Sequence, residues 1–436
     1  MGFIRGFSIA MGANIIVFAL SFINNKLIYL YLPEADNGLY FLVYRYSLFF
    51  ALFLGDWMRL SNLNIAGKDK SLIPLLSANG FWYISTLLSG FGLLYLLFSS
   101  FSLQLPTALP PFYVLAIITA GCAFIARNHW QSLHLVNHRM IPYSITFIIW
   151  AMVFLGLDVL FLSVLGLGLK SVMTAFLAAT ALAAVFAFST SWRMNGHRFR
   201  GSFSVLAMSK KIGTRAWIAI LGMFLMISVQ AFTVESFADN GENGLVLLAM
   251  FSVSFRLFSL LQRVADAAGT VLYSYVVQSD NVSAAELSAS VTRNILLFSA
   301  VCSFLLVLGG KQVIYIIASS KYIEAYSSLL FILPGIVAVN AGSVLNNYFW
   351  GRSYPTPVIA APYIATVFGG ILNFLLIPRY GVSGATLSFS LMSSVWFVFI
   401  LIYFSKVTGV AVRKVLIPNP ADFSVVLSRI RQRFAR

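Results

Sequence analysis

Two arginines stand in the middle of long apolar runs of this sequence. Arg45 lies in GLYFLVYRYSLFFALFLGD, and Arg256 lies in LVLLAMFSVSFRLFSLLQRV. A charged side chain inside a membrane-spanning segment is rare and indicates a functional site unless an ion pair explains it. Arginine stays charged and binds phosphate through parallel hydrogen bonds. The two residues therefore predict a binding site for an anionic head group.

Carboxylates supply the alternative interpretation, in which the arginines belong to structural ion pairs. Asp158 is the one carboxylate deep in an apolar run, and it is a candidate partner for such a pair. It is equally a candidate site for a coupling proton, since a buried carboxylate is readily perturbed. Asp56 is predicted to pair with its near neighbour Arg59.

The first apolar run carries further polar side chains. Asn14, Asn25 and Lys26 lie near one face of a helix, because 11 residues make about three turns. We expect this face to line a substrate cavity. The alternative for Lys26 is that its amine extends to the outer membrane interface.

Three histidines of one polar stretch do not predict a metal site. His129, His134 and His138 lie in RNHWQSLHLVNHR, which contains no carboxylate or cysteine ligand. This composition favours a solvated interfacial loop. No nucleophile and base stand together either, so we predict no catalytic residue, no metal and no cofactor.

The elements that carry these residues are membrane-spanning helices. Of the 436 residues, 60% are hydrophobic and only 10% are charged, whereas soluble domains average about 25% charged residues. Apolar runs long enough to cross a bilayer recur along the whole chain. We predict an all-α polytopic membrane protein with about twelve transmembrane helices, near 7–30, 38–58, 80–101, 109–126, 141–166, 171–192, 216–237, 244–262, 292–308, 326–350, 357–377 and 383–405.

The basic residues predict the orientation of these spans. If the N-terminus is cytoplasmic, 22 lysines and arginines fall on the inner side and 4 on the outer side. Positive charge accumulates in cytoplasmic loops, so both termini are predicted to be cytoplasmic. The net charge of +16 follows from this bias and does not call for nucleic acid as a partner. The basic tail is expected to bind anionic membrane lipid.

Repeated features indicate that the chain is a parallel duplication of six helices. The tetrapeptide ADNG occurs at 35–38 and 238–241, in the outer connections after predicted spans 1 and 7. The segments GLDVLFLSVLGLGLKSVMTAF and GGILNFLLIPRYGVSGATLSF join spans 5 to 6 and 11 to 12 in a similar way. We predict an N-terminal lobe (1–192), a basic cytoplasmic linker (193–215), a C-terminal lobe (216–406) and a basic tail (407–436), with the two lobes around a central cavity.

Two stretches resemble a known family of transporters. LNFLLIPRYGVSGATLS, preceded by Gly351–Arg352, and LPEADNGLYFLVYRYSLFFALFLGD are similar to segments of bacterial polysaccharide flippases. These flippases belong to the multidrug/oligosaccharidyl-lipid/polysaccharide exporter superfamily. The resemblance implies two six-helix lobes arranged as a V, with alternating access. In related lipid II flippases, cationic residues of spans 2 and 8 are functional; Arg45 and Arg256 match those positions. Lys26 matches a basic residue near the end of span 1, but Asn25 replaces a neighbouring aspartate.

The residues and the resemblance together predict a flippase of the bacterial cytoplasmic membrane. We expect it to flip undecaprenyl-pyrophosphate-linked oligosaccharide units for surface polysaccharide, such as O-antigen of lipopolysaccharide. A polysaccharide polymerase and chain-length proteins are then expected partners. The alternatives are a cation-coupled multidrug exporter of the same superfamily and a membrane polysaccharide polymerase or ligase. The enzyme alternative requires a large outer domain, and the longest outer connection, near 309–325, is too short for one.

Overall fold

The computed structural model describes residues 3–100, 109–137, 139–195, 200–237, 242–278, 280–352 and 354–417. These residues are almost entirely helical, and no β-strand occurs among them. The helices are α1 Phe3–Tyr31, α2 Glu34–Lys68, α3 Ile73–Ser100, α4 Pro111–Val136, α5 Met140–Asp158, α6 Leu169–Asn195, α7 Phe203–Phe237, α8 Glu242–Gln278, α9 Asn281–Ile317, α10 Ala325–Gly351, α11 Thr356–Thr408 and α12 Val412–Leu416.

Eleven of the described helices, α1 to α11, are long and apolar enough to cross a membrane. The last of them, α11, has 53 residues and would be about 80 Å long if it were straight. It bends at Gly381, whose backbone is non-helical with φ 55° and ψ −133°. Each of its arms is long enough for one crossing of a hydrocarbon core about 30 Å thick. The structure confirms the predicted all-helical membrane class, and the bend explains why twelve predicted crossings correspond to eleven helices.

The chain divides into two compact units, which we call unit 1 and unit 2. Unit 1 extends to Leu221 and also includes Ile317–Ser319, whereas unit 2 contains the rest of the chain from Gly222 onward. The division falls inside α7. Of the predicted linker 193–215, residues 193–195 end α6 and the part from Phe203 onward begins α7. Residues 196–199 lie outside the described residues.

Unit 1 is built around α4. This helix packs against α2 along one side and against α6 along another, while α1 packs on α5. Glycines permit the close approach of α2 and α4, since a Cβ atom at Gly55 would overlap Ile125 and one at Gly121 would overlap Phe50. The core is apolar and fully buried at residues such as Val43. α2 is thereby held rigidly against α4.

Unit 2 repeats part of this arrangement. Its second and fourth helices, α8 and α10, pack against each other as α2 and α4 do in unit 1, and α10 also packs on α11. The two segments that the sequence pairs also behave alike. Gly166 lies before α6 with φ 62°, and Gly381 lies in the bend of α11 with φ 55°. Glycine adopts this left-handed conformation without steric penalty, so both turns require it.

The helices are longer than the apolar runs predict. The first ADNG copy lies in the first turns of α2 and not in a loop, while the second copy, 238–241, lies outside the described residues. α9 continues to Ile317, which shortens the predicted outer connection near 309–325. α4 continues to Val136 and so includes part of the histidine stretch.

Candidate functional site

Arg45 lies in the membrane-spanning part of α2 and is 7% exposed. Its guanidinium lies over the ring of Phe41, 5.7 Å from the ring centroid. Two residues further along the helix lies Ser47, whose hydroxyl donates to the Val43 carbonyl at 2.8 Å and so stays within the helix. The position is held by the close packing of α2 on α4. Arg45 is therefore a fixed cation within a span, as the sequence predicts.

Arg256 lies in α8, the second long helix of unit 2, and its side chain is half-buried. The same helix contributes buried serines to contacts inside the unit. The Ser254 hydroxyl lies 2.8 Å from the hydroxyl of Ser328 on α10. α10 thus packs against the face of α8 that carries Ser254, two residues before Arg256. Each unit therefore carries an arginine near the middle of its second helix.

Asp158 is completely buried at the end of α5. A six-residue π-helical turn, Val159–Val164, follows it directly, and such turns are frequent at functional sites. The Asn24 side-chain amide of α1 donates to Asp158 Oδ2 at 2.9 Å. The remaining oxygens of this pair, Asp158 Oδ1 and Asn24 Oδ1, are buried and accept no hydrogen bond from the described residues.

This pairing answers one part of the ion-pair alternative, the predicted role of Asp158 as a partner of Arg45. Among the described residues of unit 1, Asp158 bonds to Asn24 and not to Arg45. Asn24 is a site residue that sequence reasoning missed. The signal was present, because consecutive asparagines at 24 and 25 in an apolar helix cannot both point to lipid without cost.

The other polar residues of α1 differ in burial. Asn14 is exposed, whereas Asn25 and Lys26 are half-buried. Since α1 is one continuous helix, Asn14 and Asn25 lie on the same side of it, three turns apart. Asn24 lies on the buried side, against α5. Of these four residues, Asn24 is the one for which the structure shows a hydrogen bond to Asp158.

The predicted pair of Asp56 and Arg59 is confirmed. Both guanidinium contacts are short, with Nε at 2.9 Å from Oδ1 and Nη2 at 2.7 Å from Oδ2. The bidentate geometry satisfies both carboxylate oxygens. The two residues lie three positions apart on α2.

The prediction for the histidines is wrong in part. His129 and His134 are each 1% exposed within α4 and do not form a solvated loop, while His138 lies outside the described residues. The Asn62 amide nitrogen lies 3.1 Å from His129 Nδ1 and donates to the Ser132 hydroxyl at 2.8 Å. Polar side chains of α2 thus satisfy polar side chains of α4. No group of three possible metal ligands occurs in the described part of the chain.

Arg127 was predicted to lie in a loop, and the structure places it in a helix. It lies in α4, nine residues before the helix ends, and is half-buried. Its guanidinium lies 4.8 Å from the ring centroid of Phe124 and 5.4 Å from that of Phe147 on α5. The polar residues that follow it obscured the continuation of the span.

Comparison with known proteins identifies the fold. No protein-family model matches the chain, and no curated protein matches its sequence. Solved structures match over nearly the whole length. A lipid II flippase, MurJ, in an inward closed conformation has a TM-score of 0.71 at 14% identity, over 91% of this chain and 87% of that one.

Two further structures give the same result. An outward-facing multidrug resistance MATE family transporter of the MOP superfamily has a TM-score of 0.65 at 16% identity, over 94% of this chain and 96% of that one. A MOP superfamily transporter from Pyrococcus furiosus has a TM-score of 0.64 at 15% identity, over 93% and 94%. The chain is a multi-pass membrane protein with the fold of the MATE and MOP transporters.

Proposed function

We propose that this protein flips a diphosphate-linked lipid oligosaccharide from the inner to the outer leaflet of a bacterial cytoplasmic membrane. The observation that carries the proposal is the buried arginine in a span of unit 1, with a counterpart in the second helix of unit 2. A phosphoanhydride is dianionic or more, and guanidinium groups bind it in bidentate fashion. The fold shared with a lipid II flippase supports this class of substrate.

In this proposal Arg45 and Arg256 each bind the diphosphate at some stage of the transport cycle. Lys26 and Asn25, both half-buried on α1, and Asn14 contact the polar part of the substrate. The substrate is an undecaprenyl-diphosphate oligosaccharide destined for surface polysaccharide, and its consumers are a polymerase and chain-length proteins. Both termini are cytoplasmic.

Asp158 supplies the coupling group in the same proposal. A carboxylate with a buried oxygen that accepts no hydrogen bond from the described chain is suited to take up a proton or a cation. Asn24 holds the other oxygen and fixes the orientation of the carboxylate. Uptake and release at Asp158 would bias the conformations of unit 1.

The Asn24–Asp158 pair also favours a second candidate function, a cation-coupled multidrug exporter. This candidate uses the same coupling group but needs no diphosphate contact at the two arginines. Structures described as multidrug resistance transporters match the chain about as well as other members of the fold. The two candidates differ in whether an anionic lipid or an organic drug is moved.

Deletion of the gene in its host tests the proposal directly. We expect loss of surface polysaccharide, together with accumulation of lipid-linked oligosaccharide that an externally added glycosidase cannot reach. Unchanged glycan with a fall in drug resistance would favour the multidrug exporter. Single repeat units that reach the outer face without being joined would indicate a polymerase or ligase and contradict the proposal.

A further inference from the structure

Arg127 is an intramembrane cation without a carboxylate partner in the described chain. Residues 1–221 contain five carboxylates, namely Glu34, Asp36, Asp56, Asp69 and Asp158. Asp56 forms an ion pair with Arg59, and Asp158 accepts a hydrogen bond from Asn24. Helix α4 itself contains no acidic residue. An arginine in a span that no carboxylate neutralises needs an anion or water at its guanidinium.

The donors of Arg127 are largely unused. A guanidinium carries five N–H donors. The hydrogen bond that the structure gives runs from Nη2 to the side-chain oxygen of the adjacent Asn128, at 3.3 Å. Nε is buried and donates to no acceptor in the described chain. The guanidinium is thus partly desolvated, and most of its hydrogen-bonding capacity is not used by the described chain.

Aromatic rings hold this guanidinium in place. Phe124 and Phe147 belong to neighbouring helices, and each ring lies within about 6 Å of the guanidinium, the range of a cation–π contact. Ring contacts restrict the long side chain without using its hydrogen-bond donors. A preorganised fork of this kind loses little conformational entropy when it binds a phosphate.

Phe124 connects Arg127 to helix α2, because its ring contacts side chains of both. The ring of Tyr44 contacts Phe124 edge-on, at 6.5 Å between centroids. Tyr44 precedes Arg45 in the sequence, so the aromatic contacts around Arg127 reach the part of α2 that carries Arg45.

The packing of α2 on α4 shows which part of α2 lies level with Arg127. Gly55 lies against Ile125, and Asn62 lies against His129. Arg127 is therefore level with the α2 segment between Gly55 and Asn62. Arg45 precedes that segment by ten residues or more, about 15 Å along the helix. Arg127 and Arg45 are two positions at different depths of one unit.

We infer that Arg127 is a second anion-binding residue, which takes the phosphate oxygens of the substrate before or after they contact Arg45. This inference rests on the proposed function and extends it. In the predicted topology α2 and α4 both run from the outer to the inner side, so Arg127 lies on the cytoplasmic side of Arg45. The diphosphate of an incoming lipid then meets Arg127 first.

Binding of farnesyl diphosphate to the purified full-length protein in detergent tests the inference. We compare the wild type with Arg127→Gln, Arg127→Lys and Arg45→Gln, and use Lys210→Gln as a matched control that removes one exposed cation of the same unit. Because Arg127→Gln loses a charge-assisted contact, its Kd for farnesyl diphosphate should be about tenfold higher than that of the wild type. Arg127→Lys should raise it less, and Lys210→Gln should leave it unchanged.

Each outcome separates the inference from the proposed function. If Arg45→Gln weakens binding and Arg127→Gln does not, Arg127 is only a packing residue and the inference is wrong while the proposed function stands. If the wild type binds no farnesyl diphosphate, both are wrong. If Arg127→Gln does not fold, an unchanged Kd in Arg127→Lys overturns the inference, because lysine lacks the bidentate fork.

Inorganic pyrophosphate, measured in parallel, identifies the source of the phosphate. Tighter binding of farnesyl diphosphate than of pyrophosphate, with both weakened by Arg127→Gln, supports a lipid head group at this residue. Equal Kd values for the two would show that Arg127 binds free anions and would overturn its assignment to the lipid substrate.

Discussion

The side-chain amide of Asn24 on α1 donates a 2.9 Å hydrogen bond to the completely buried carboxylate of Asp158 on α5. The two residues are 134 positions apart in the sequence. This bond joins two helices of unit 1 at the start of a π-helical turn. A buried carboxylate with one bonded and one unbonded oxygen is the feature of unit 1 best suited to respond to a proton or a cation.

A double-mutant cycle should show strong coupling between these residues. Asn24→Ala leaves the Asp158 carboxylate without its donor, which costs about 1–3 kcal/mol in free energy of unfolding. In the Asp158→Ala background the same change should cost less, because no carboxylate remains to be satisfied. Unfolding titrations of the purified protein measure both steps. Additive changes would show that the bond contributes nothing to stability.

Asp158→Asn should separate coupling from folding. The substitution keeps the shape of the side chain and removes its charge, so the protein should fold and bind substrate. In proteoliposomes, its transport should no longer respond to an imposed proton or sodium gradient, whereas the wild type should respond. Thr174→Val, an exposed change on α6, is the control. A gradient response equal to that of the wild type would exclude Asp158 as the coupling group.

Asn62→Ala should destabilise unit 1. Its amide donates to the Ser132 hydroxyl and contacts His129 Nδ1, both buried, so truncation removes the contact of Nδ1 and one hydrogen bond of Ser132, at a cost of about 1–3 kcal/mol. The matched control is Asn64→Ala, because Asn64 is exposed on the same helix and its amide bonds only to the Leu60 carbonyl. Equal midpoints of thermal unfolding for the two variants would show that the buried network is not stabilising.

Gly80→Ala should be poorly tolerated. A Cβ atom at this position of α3 would overlap His129 Nε2, so the helices must separate or the imidazole must move. Overpacking of this kind typically costs about 1–3 kcal/mol. Gly90→Ala on the same helix meets nothing within 4 Å and serves as the control. The midpoint of thermal unfolding should fall for Gly80→Ala alone, and a fall in both or in neither would contradict the packing described.

Cysteine labelling should report the orientation of the chain. A membrane-impermeant maleimide added to intact cells should label Lys321→Cys, in the predicted outer connection before α10, and should not label Lys210→Cys. Both lysines are exposed, so access depends on the side of the membrane. Lysed cells should label both, and the parent protein corrects for Cys122 and Cys302. The opposite pattern in intact cells would place the termini outside.

The sequence predicted the helical class well, because long apolar runs with few charges have one stable arrangement in a bilayer. It predicted helix ends poorly where polar residues continue a helix. The stretch from Arg127 to Val136 looks like a loop, yet it is helical because partners on other helices, such as Asn62 and Thr190, satisfy its polar side chains. Such partners are distant in sequence and leave no local pattern.

The candidate site was predictable from the sequence only for residues that stand out by type alone. Arg45 stands out because a lone charge in an apolar run needs no structure to be noticed. Asn24 and Arg127 were missed because their roles depend on tertiary contacts, one with Asp158 and the other with rings on two helices. The preference of Asp158 for an asparagine over an arginine is likewise set by packing, not by composition.

Complementation by the arginine variants is the most direct test of the central claim. A gene-deletion strain receives the wild type, Lys210→Gln, or the double variant Arg45→Gln with Arg256→Gln, each at equal membrane abundance. We predict that surface polysaccharide returns with the first two, and that the double variant leaves lipid-linked oligosaccharide on the cytoplasmic leaflet, inaccessible to external glycosidase. Full restoration of surface polysaccharide by the double variant would contradict the account.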